Sequence, residues 1–372
     1  MIKHSAILYS SAILLMAGLF IGCSDSSTGP EEKPVDQALV VGTQVPSNFL
    51  DTGEFDLLGT PLDKEGQSIL SGTVDAEVTI DSLSGETASK AARMRSRVIF
   101  GKNKAAEDIS VNILSNSINK PGNDPFAIAL NIDGSGSMSS YDPNRTRVTG
   151  AQAFVDEFSQ NAGNYDISIF TYSGYPNRPF LQNSQLLAEF TNNVDTLKNA
   201  IEQVVASGGT PTYPSLLEVL NYSEQERPHN SYERGVVLLS DGYPNSTALR
   251  DSVCQVANDM ETPIYSIGLG PASDLSTNPD PRAVQEMRNI STCTGGSYAG
   301  IDPTNNSSSA SKLYKNIAVA TSKGNIQYKV KLSGPGFNNL TPGTILYFTL
   351  TLMTKKGKAS AFFSFSVPAN NP

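Results

Sequence analysis

The sequence predicts an α/β protein, a doubly wound and mostly parallel sheet inserted in an antiparallel β-sandwich built from the N- and C-terminal segments. Three observations carry this. Between about Phe126 and Ala320, nearly continuous apolar runs alternate with amphipathic helical patterns, as in a parallel sheet covered on both faces. On either side, apolar residues recur at every second position, as in half-buried antiparallel strands. At 372 residues the chain has room for two or three domains of roughly 100 to 200 residues each.

The chain opens with a basic start at Lys3, an apolar run from Ser5 to Phe20 and then Ile21-Gly22-Cys23. The run is shorter than the ~20 residues a membrane span needs, so residues 1–22 read as a signal peptide. Its ending resembles the bacterial lipobox, which makes Cys23 the lipidated first residue of the mature chain. Residues 23–35 begin SDSSTGPEEKP after the cysteine, a polar tether. Loss of Lys3 from the 27 basic residues leaves 26 against 36 acidic ones, a mature net charge of −10. Anionic lipid would repel such a surface, so attachment rests on the lipid anchor at Cys23. The expected location is the bacterial cell envelope, and Ser24 in place of Asp points to the outer membrane. The same acidity excludes a nucleic-acid binder.

In the N-terminal flank (36–120), VDAEVTI, SRVIF (96–100) and DISVNIL read as strands, and LSGETASKAARMR between them has no readable role. The central body (124–321) has strands FAIALNID (126–133), DISIFTY (166–172), GVVLLSD (235–241), PIYSIGLG (263–270) and SYAGI (297–301). Its helical patterns are RVTGAQAFVDEFSQ, VDTLKNAIEQVVA, PSLLEVLNYS, TALRDSVCQVANDM, PRAVQEMRNIS and SASKLYKNIAVA. In the C-terminal flank (322–368), NIQYKVKLS and ILYFTLTLMT alternate, turn through Lys355 to Lys358, and return with Phe363, Phe365 and Val367. Three strands cannot cover their own apolar face, so both flanks are expected to share one sandwich.

The chemistry concentrates where the first central strand ends, at Asp133-Gly134-Ser135-Gly136-Ser137. Short oxygen side chains at spacing two, with glycines between, form a tight loop suited to a hard divalent cation, Mg²⁺ first and Mn²⁺ or Ca²⁺ in principle. Asp133 is expected on a polar rim. Gly208-Gly209-Thr210-Pro211-Thr212 and Leu238-Leu239-Ser240-Asp241-Gly242 place further oxygens at matching points, at the strand ends where such sheets bind ligands. Only His4 and His229 exist, and His4 lies in the leader. His229 sits in a polar stretch and reads as solvated. Gly268-Leu269-Gly270 lacks the third glycine and the acid of a dinucleotide loop, and Ser135 stands where a phosphotransferase of the haloacid-dehalogenase kind needs a second acid. No enzymatic activity is expected.

With these motifs in place, residues 124 to about 321 resemble a von Willebrand factor type A (VWA) domain. Asp133, Ser135, Ser137, Thr210 and Asp241 match the five donors of its metal-ion-dependent adhesion site (MIDAS). The resemblance implies that Ser135 and Ser137 ligate the metal directly, Thr210 directly or through water, and Asp133 and Asp241 chiefly through water. An open coordination position would receive an Asp or Glu from a protein ligand. Asp142 reads as helix-start chemistry and not as a second metal ligand. Cys254 and Cys293 are expected to pair in an oxidising compartment. In this fold the helix holding Cys254 and the loop expected to hold Cys293, before the last strand, are neighbours. The resulting expectation is a lipid-anchored envelope protein that binds a protein or other acidic ligand through Mg²⁺. The alternatives are a scaffold lipoprotein whose metal only stabilises the fold and, last, a metal-assisted hydrolase.

Overall fold

The computed structural model describes residues 33–65, 67–70, 74–84, 108–119, 124–173, 183–242, 244–274, 276, 278–301, 318, 322 and 324–368. The signal peptide, Cys23, SRVIF, nearly all of LSGETASKAARMR and all but Ala318 of SASKLYKNIAVA lie outside them. No described helix is long and apolar enough to cross a membrane.

Among the described residues the chain forms three sheets. The central sheet holds β5 (Phe126–Asp133), β6 (Tyr165–Tyr172), β7 (Ser184–Thr191), β8 (Glu233–Ser240), β9 (Ile264–Gly268) and β10 (Tyr298–Gly300), in the order β10-β9-β8-β5-β6-β7. All pairs are parallel except β6 with β7. The five strands read from the sequence are present. The antiparallel edge strand β7 is an addition, with a burial pattern too irregular to show as alternation.

After the short helices α1 (Phe49–Thr52) and α2 (Met138–Tyr141), helices α3 (Thr146–Asn161), α4 (Val194–Glu202), α5 (Thr212–Glu226), α6 (Arg250–Asp259) and α7 (Pro281–Cys293) cover the central sheet. Alternate side chains of β5 point to different cores. Ile128, Leu130 and Ile132 join Phe154 and Leu197 on the α3 and α4 side. Ala129 joins Leu216, Val253 and Met287 on the α5, α6 and α7 side. Period two puts Asn131 and Asp133 on this second face. Asn131 is the one polar residue inside the strand, and it is satisfied. Its amide donates to Ser215 Oγ at 2.9 Å, and Ser184 Oγ reaches the same hydroxyl at 2.7 Å, tying β5, α5 and β7 together.

The flanks form the sandwich. One sheet runs β1 (Gln37–Gln44), β2 (Glu54–Leu62), β11 (Asn325–Ser333), β4 (Ser110–Asn119). The other runs β13 (Gly357–Ser366), β12 (Ile345–Thr354), β3 (Asp75–Ser84). Every pair is antiparallel. Leu57, Tyr328 and Val330 of the first sheet pack with Phe348, Leu350 and Phe365 of the second in one core. Strands β1 and β2 go beyond the sequence expectation. Gly59 and Pro61 in β2 read as turn punctuation, yet Gly59 is there for packing, because a Cβ on it would sit 2.8 Å from Leu350 Cδ2 of the facing sheet. Packing begins before β1, with Val35 buried and Lys33 Nζ 2.7 Å from Asp63.

Sandwich and α/β body form one compact unit, joined chiefly along α7. Arg288 of α7 is 1% exposed, donates to Asp274 at 2.8 Å, and stacks on Tyr298 and on Tyr347 of β12, 4.9 and 5.4 Å from the ring centroids. Thr43 N–H donates to the Gly296 carbonyl just beyond α7. The disulfide is present, with Cys254 on α6, Cys293 at the end of α7 and their Cα atoms 5.6 Å apart. Cys293 closes a helix and does not sit in a loop, because the pattern of α7 runs two residues further than the sequence shows.

Candidate functional site

Chain order makes β5 the place where the sheet changes direction. The chain leaves β5 for β6 on one side and returns in β8 on the other, so the loops after β5 and β8 open beside one another. Ile132 pairs with Leu239, and the next residues along the two strands are Asp133 and Ser240. Ser240 Oγ donates to Asp133 Oδ2 at 2.6 Å, and the Ser135 N–H donates to Asp133 Oδ1 at 2.7 Å. Gly242 N–H in turn donates to Ser240 Oγ at 2.9 Å.

The loop before α5 is fastened to the other two by backbone. Ser207 N–H donates to the Gly134 carbonyl at 2.7 Å, and Gly136 N–H to the Gly208 carbonyl at 3.0 Å. These contacts need glycine. A Cβ on Gly134 would lie 2.9 Å from the Val205 carbonyl, and Gly208 has φ 78°. Asn245 holds Thr210 from both sides of its peptide, its N–H donating to the Thr210 carbonyl at 2.9 Å and its Oδ1 accepting the Thr210 N–H at 3.2 Å.

All five expected residues therefore lie on three adjoining loops at one sheet edge. Ser135 and Ser137 hydroxyls are 3.0 Å apart. Asp133, Ser135, Thr210 and Asp241 are buried. Asp133 is wholly enclosed, against the expectation of a polar rim, because α5 closes over its face of the sheet. Burial pushes its carboxyl above the usual range, opposed by the hydrogen bonds from Ser135 and Ser240. Those donors are neutral. A buried carboxylate without a cationic side chain among its described partners calls for positive charge from elsewhere.

Tyr172, at the end of β6, marks the same spot. Burial pushes its hydroxyl well above the ordinary value, and the negative charges of Asp133 and Asp241 add to the effect. Tyr172 Oη interacts with Asp133, Ser240 and Thr212, so several buried oxygens crowd around the carboxylates. The set is two carboxylates and hydroxyls, all oxygen. It fits a hard cation and not a soft one. No group of three or more His, Cys, Asp or Glu occurs among the described residues, so a thiolate or imidazole centre is not offered there.

Sequence reasoning passed over Asn245 and Tyr172 and, though it noted Ser240 beside Asp241, gave it no role. Ser240 carries a usable signal, a hydroxyl directly before Asp241 at the end of an apolar strand. Asn245 carries none, since its role depends on a fold that brings it to Thr210. Asp142 serves its helix, accepting the Thr146 N–H at 2.6 Å and pairing with Arg147 at 2.8 Å. His229 lies 3.1 Å from Glu224, at the entry to β8 and at the opposite edge of the sheet from the loops.

Residues 128–244 match the family model of the von Willebrand factor type A domain, and the α/β body has a VWA-like fold. Solved structures similar to this chain include the vWF domain of the type V pili tip protein Mfa5 from Porphyromonas gingivalis, at 13% identity and TM-score 0.42, covering 55% of this chain and 98% of that one. The pilus adhesin SpaC from Lactobacillus rhamnosus GG is 12% identical with TM-score 0.43, covering 91% and 48%. Manganese-loaded TRAP protein from Plasmodium vivax is 14% identical with TM-score 0.39, covering 71% and 99%. No curated protein gives a significant match.

Proposed function

We propose that this is a lipid-anchored protein of the bacterial cell envelope, with no catalytic activity, that binds a protein or another acidic ligand through a Mg²⁺-dependent MIDAS. The observation that carries the reading is Asp133, a wholly buried carboxylate pushed upward by burial and held by neutral donors. Asp133, Ser135, Ser137, Thr210 and Asp241 would hold the ion, and Mn²⁺ or Ca²⁺ suits the same all-oxygen set. When bound, the ion supplies a hard Lewis acid that takes a carboxylate of the ligand.

The chain's own residues prepare that encounter. Ser240 fixes the carboxylate of Asp133, and Asn245 fixes the peptide of Thr210, so the donors are set before a ligand arrives. Anchoring at Cys23 follows from the lipobox-like leader, and the outer membrane from Ser24; mass spectrometry of the membrane fraction should find an acylated Cys23 at the mature N-terminus. The binding reading is tested by pull-down from envelope extract with Mg²⁺ or with chelator. A partner retained only with Mg²⁺, and weakened by Thr210→Ala, supports it. Retention that survives both treatments contradicts it and favours a scaffold.

A further inference from the structure

We propose that, around the buried carboxylates Asp133 and Asp241, the three donor loops form an uncharged, partly apolar platform, so that the partner presents its carboxylate from within a neutral apolar surface and not from an acidic one. The inference rests on the metal-site reading above and specifies its partner. Residues 134–141, 203–213 and 242–249 contain no Lys, Arg, His, Asp or Glu, in a chain that is 17% charged. Each of these loops also leaves one large apolar side chain in solvent. They are Tyr141 at 51%, Val205 at 63% and Leu249 at 38% exposed, while the other exposed large hydrophobics among the described residues lie on the sandwich.

The charged residues bordering the loops are engaged elsewhere. Asp142 is buried against Arg147, Arg145 reaches Glu202 at 3.2 Å, and Arg250 reaches Glu286 at 3.1 Å. Tyr141 ends the short helix α2 (Met138–Tyr141) and packs beside Gly270, where a Cβ would lie 2.9 Å from its own. The Val205 carbonyl abuts Gly134, and Leu249 follows Asn245 by four positions. All three therefore belong to the edge that holds the metal donors. Depletion of charge with exposed aromatic and aliphatic groups is the composition of an interface core. With a net charge of −9 and no basic side chain on these loops, an acid-rich partner would be repelled before contact. A single carboxylate set among apolar groups avoids that repulsion and covers the exposed side chains.

The test uses the full chain, immobilised, and a phage-displayed random heptapeptide library bound in Mg²⁺ and eluted with EDTA. The expected selection carries one Asp or Glu flanked by large apolar residues. A synthetic peptide from it should bind the triple variant Tyr141→Ser, Val205→Ser, Leu249→Ser about tenfold more weakly or worse, since a few central side chains dominate such interfaces. The rise of melting temperature with Mg²⁺ should be unchanged in that variant. Selection of acid-rich peptides, no enrichment over the EDTA-eluted background, or a triple variant that binds as the wild type does would overturn the platform while the Mg²⁺ response stands. Peptides held in EDTA by a protein whose melting ignores Mg²⁺ would overturn the metal reading and this inference with it.

Discussion

Arg288 is the side chain through which the α/β body and the sandwich are most directly joined, so its replacement measures that joint. Arg288→Met keeps much of the apolar volume and removes the charge. Breaking a buried ion pair by deleting one partner costs about 3 to 5 kcal/mol. The Asp274 side chain is 16% exposed and regains some hydration, which moves the expectation to the lower end of that range. Stacking on Tyr298 and Tyr347 adds about 0.5 to 2 kcal/mol for each ring, so about 4 to 7 kcal/mol in total is expected. Arg288→Lys keeps the cation but loses the planar stack, and about half of that loss is expected. Urea unfolding followed by far-UV circular dichroism and tyrosine fluorescence gives both values, the chain having no tryptophan. A loss below about 1 kcal/mol for Arg288→Met, or equal losses for Met and Lys, would refute the reasoning.

Two further outcomes are expected. Cys254→Ser with Cys293→Ser opens a cross-link between positions 39 apart, and the chain-entropy relation gives a loss of roughly 3 to 4 kcal/mol in urea unfolding, with the α6 and α7 helices still formed. Glu224 gives a pH dependence. Burial pushes its carboxyl up, but the hydrogen bond from His229 and the charge of Arg234 outweigh this and hold it below 4.5. Its stabilisation is thus present above that value and is lost as pH falls through the folded-state pKa. Glu224→Gln should be less stable than the wild type at neutral pH, and the urea midpoints of the two should converge in acid; a constant difference contradicts the assignment.

The α/β body was legible because its strands are continuous apolar runs bounded by helical periodicity, and β5 begins and ends where the pattern does. The gathering of oxygen side chains at one sheet edge was legible because three of them, Asp133, Ser135 and Ser137, are neighbours in sequence. What escaped depends on distance in the chain. Strand β1 pairs only with β2, β2 finds its other hydrogen-bond partner in β11, far along the sequence, and the Gly59 that resembles a turn signal is explained only by Leu350 opposite it. The burial of Asp133 was misjudged for a related reason. A carboxylate at a strand end reads as a surface group until α5 is seen to close that face, with Asn131 and Ser215 bonded directly behind it.

The central claim is that the three loops form a preorganised cation site, and the response of folding stability to Mg²⁺ tests it most directly. A ligand bound only by the folded protein adds about 2.7 kcal/mol at a hundred times its dissociation constant. Because Asp133 is wholly buried, the informative variant is Asp133→Asn, which keeps the shape and an acceptor for the Ser135 N–H while removing the charge. The wild-type melting temperature should rise with Mg²⁺ and fall back with chelator, while Asp133→Asn should fold and give a flat response. A wild-type protein indifferent to Mg²⁺, Mn²⁺ and Ca²⁺, or an Asp133→Asn variant that responds as the wild type does, would contradict the account.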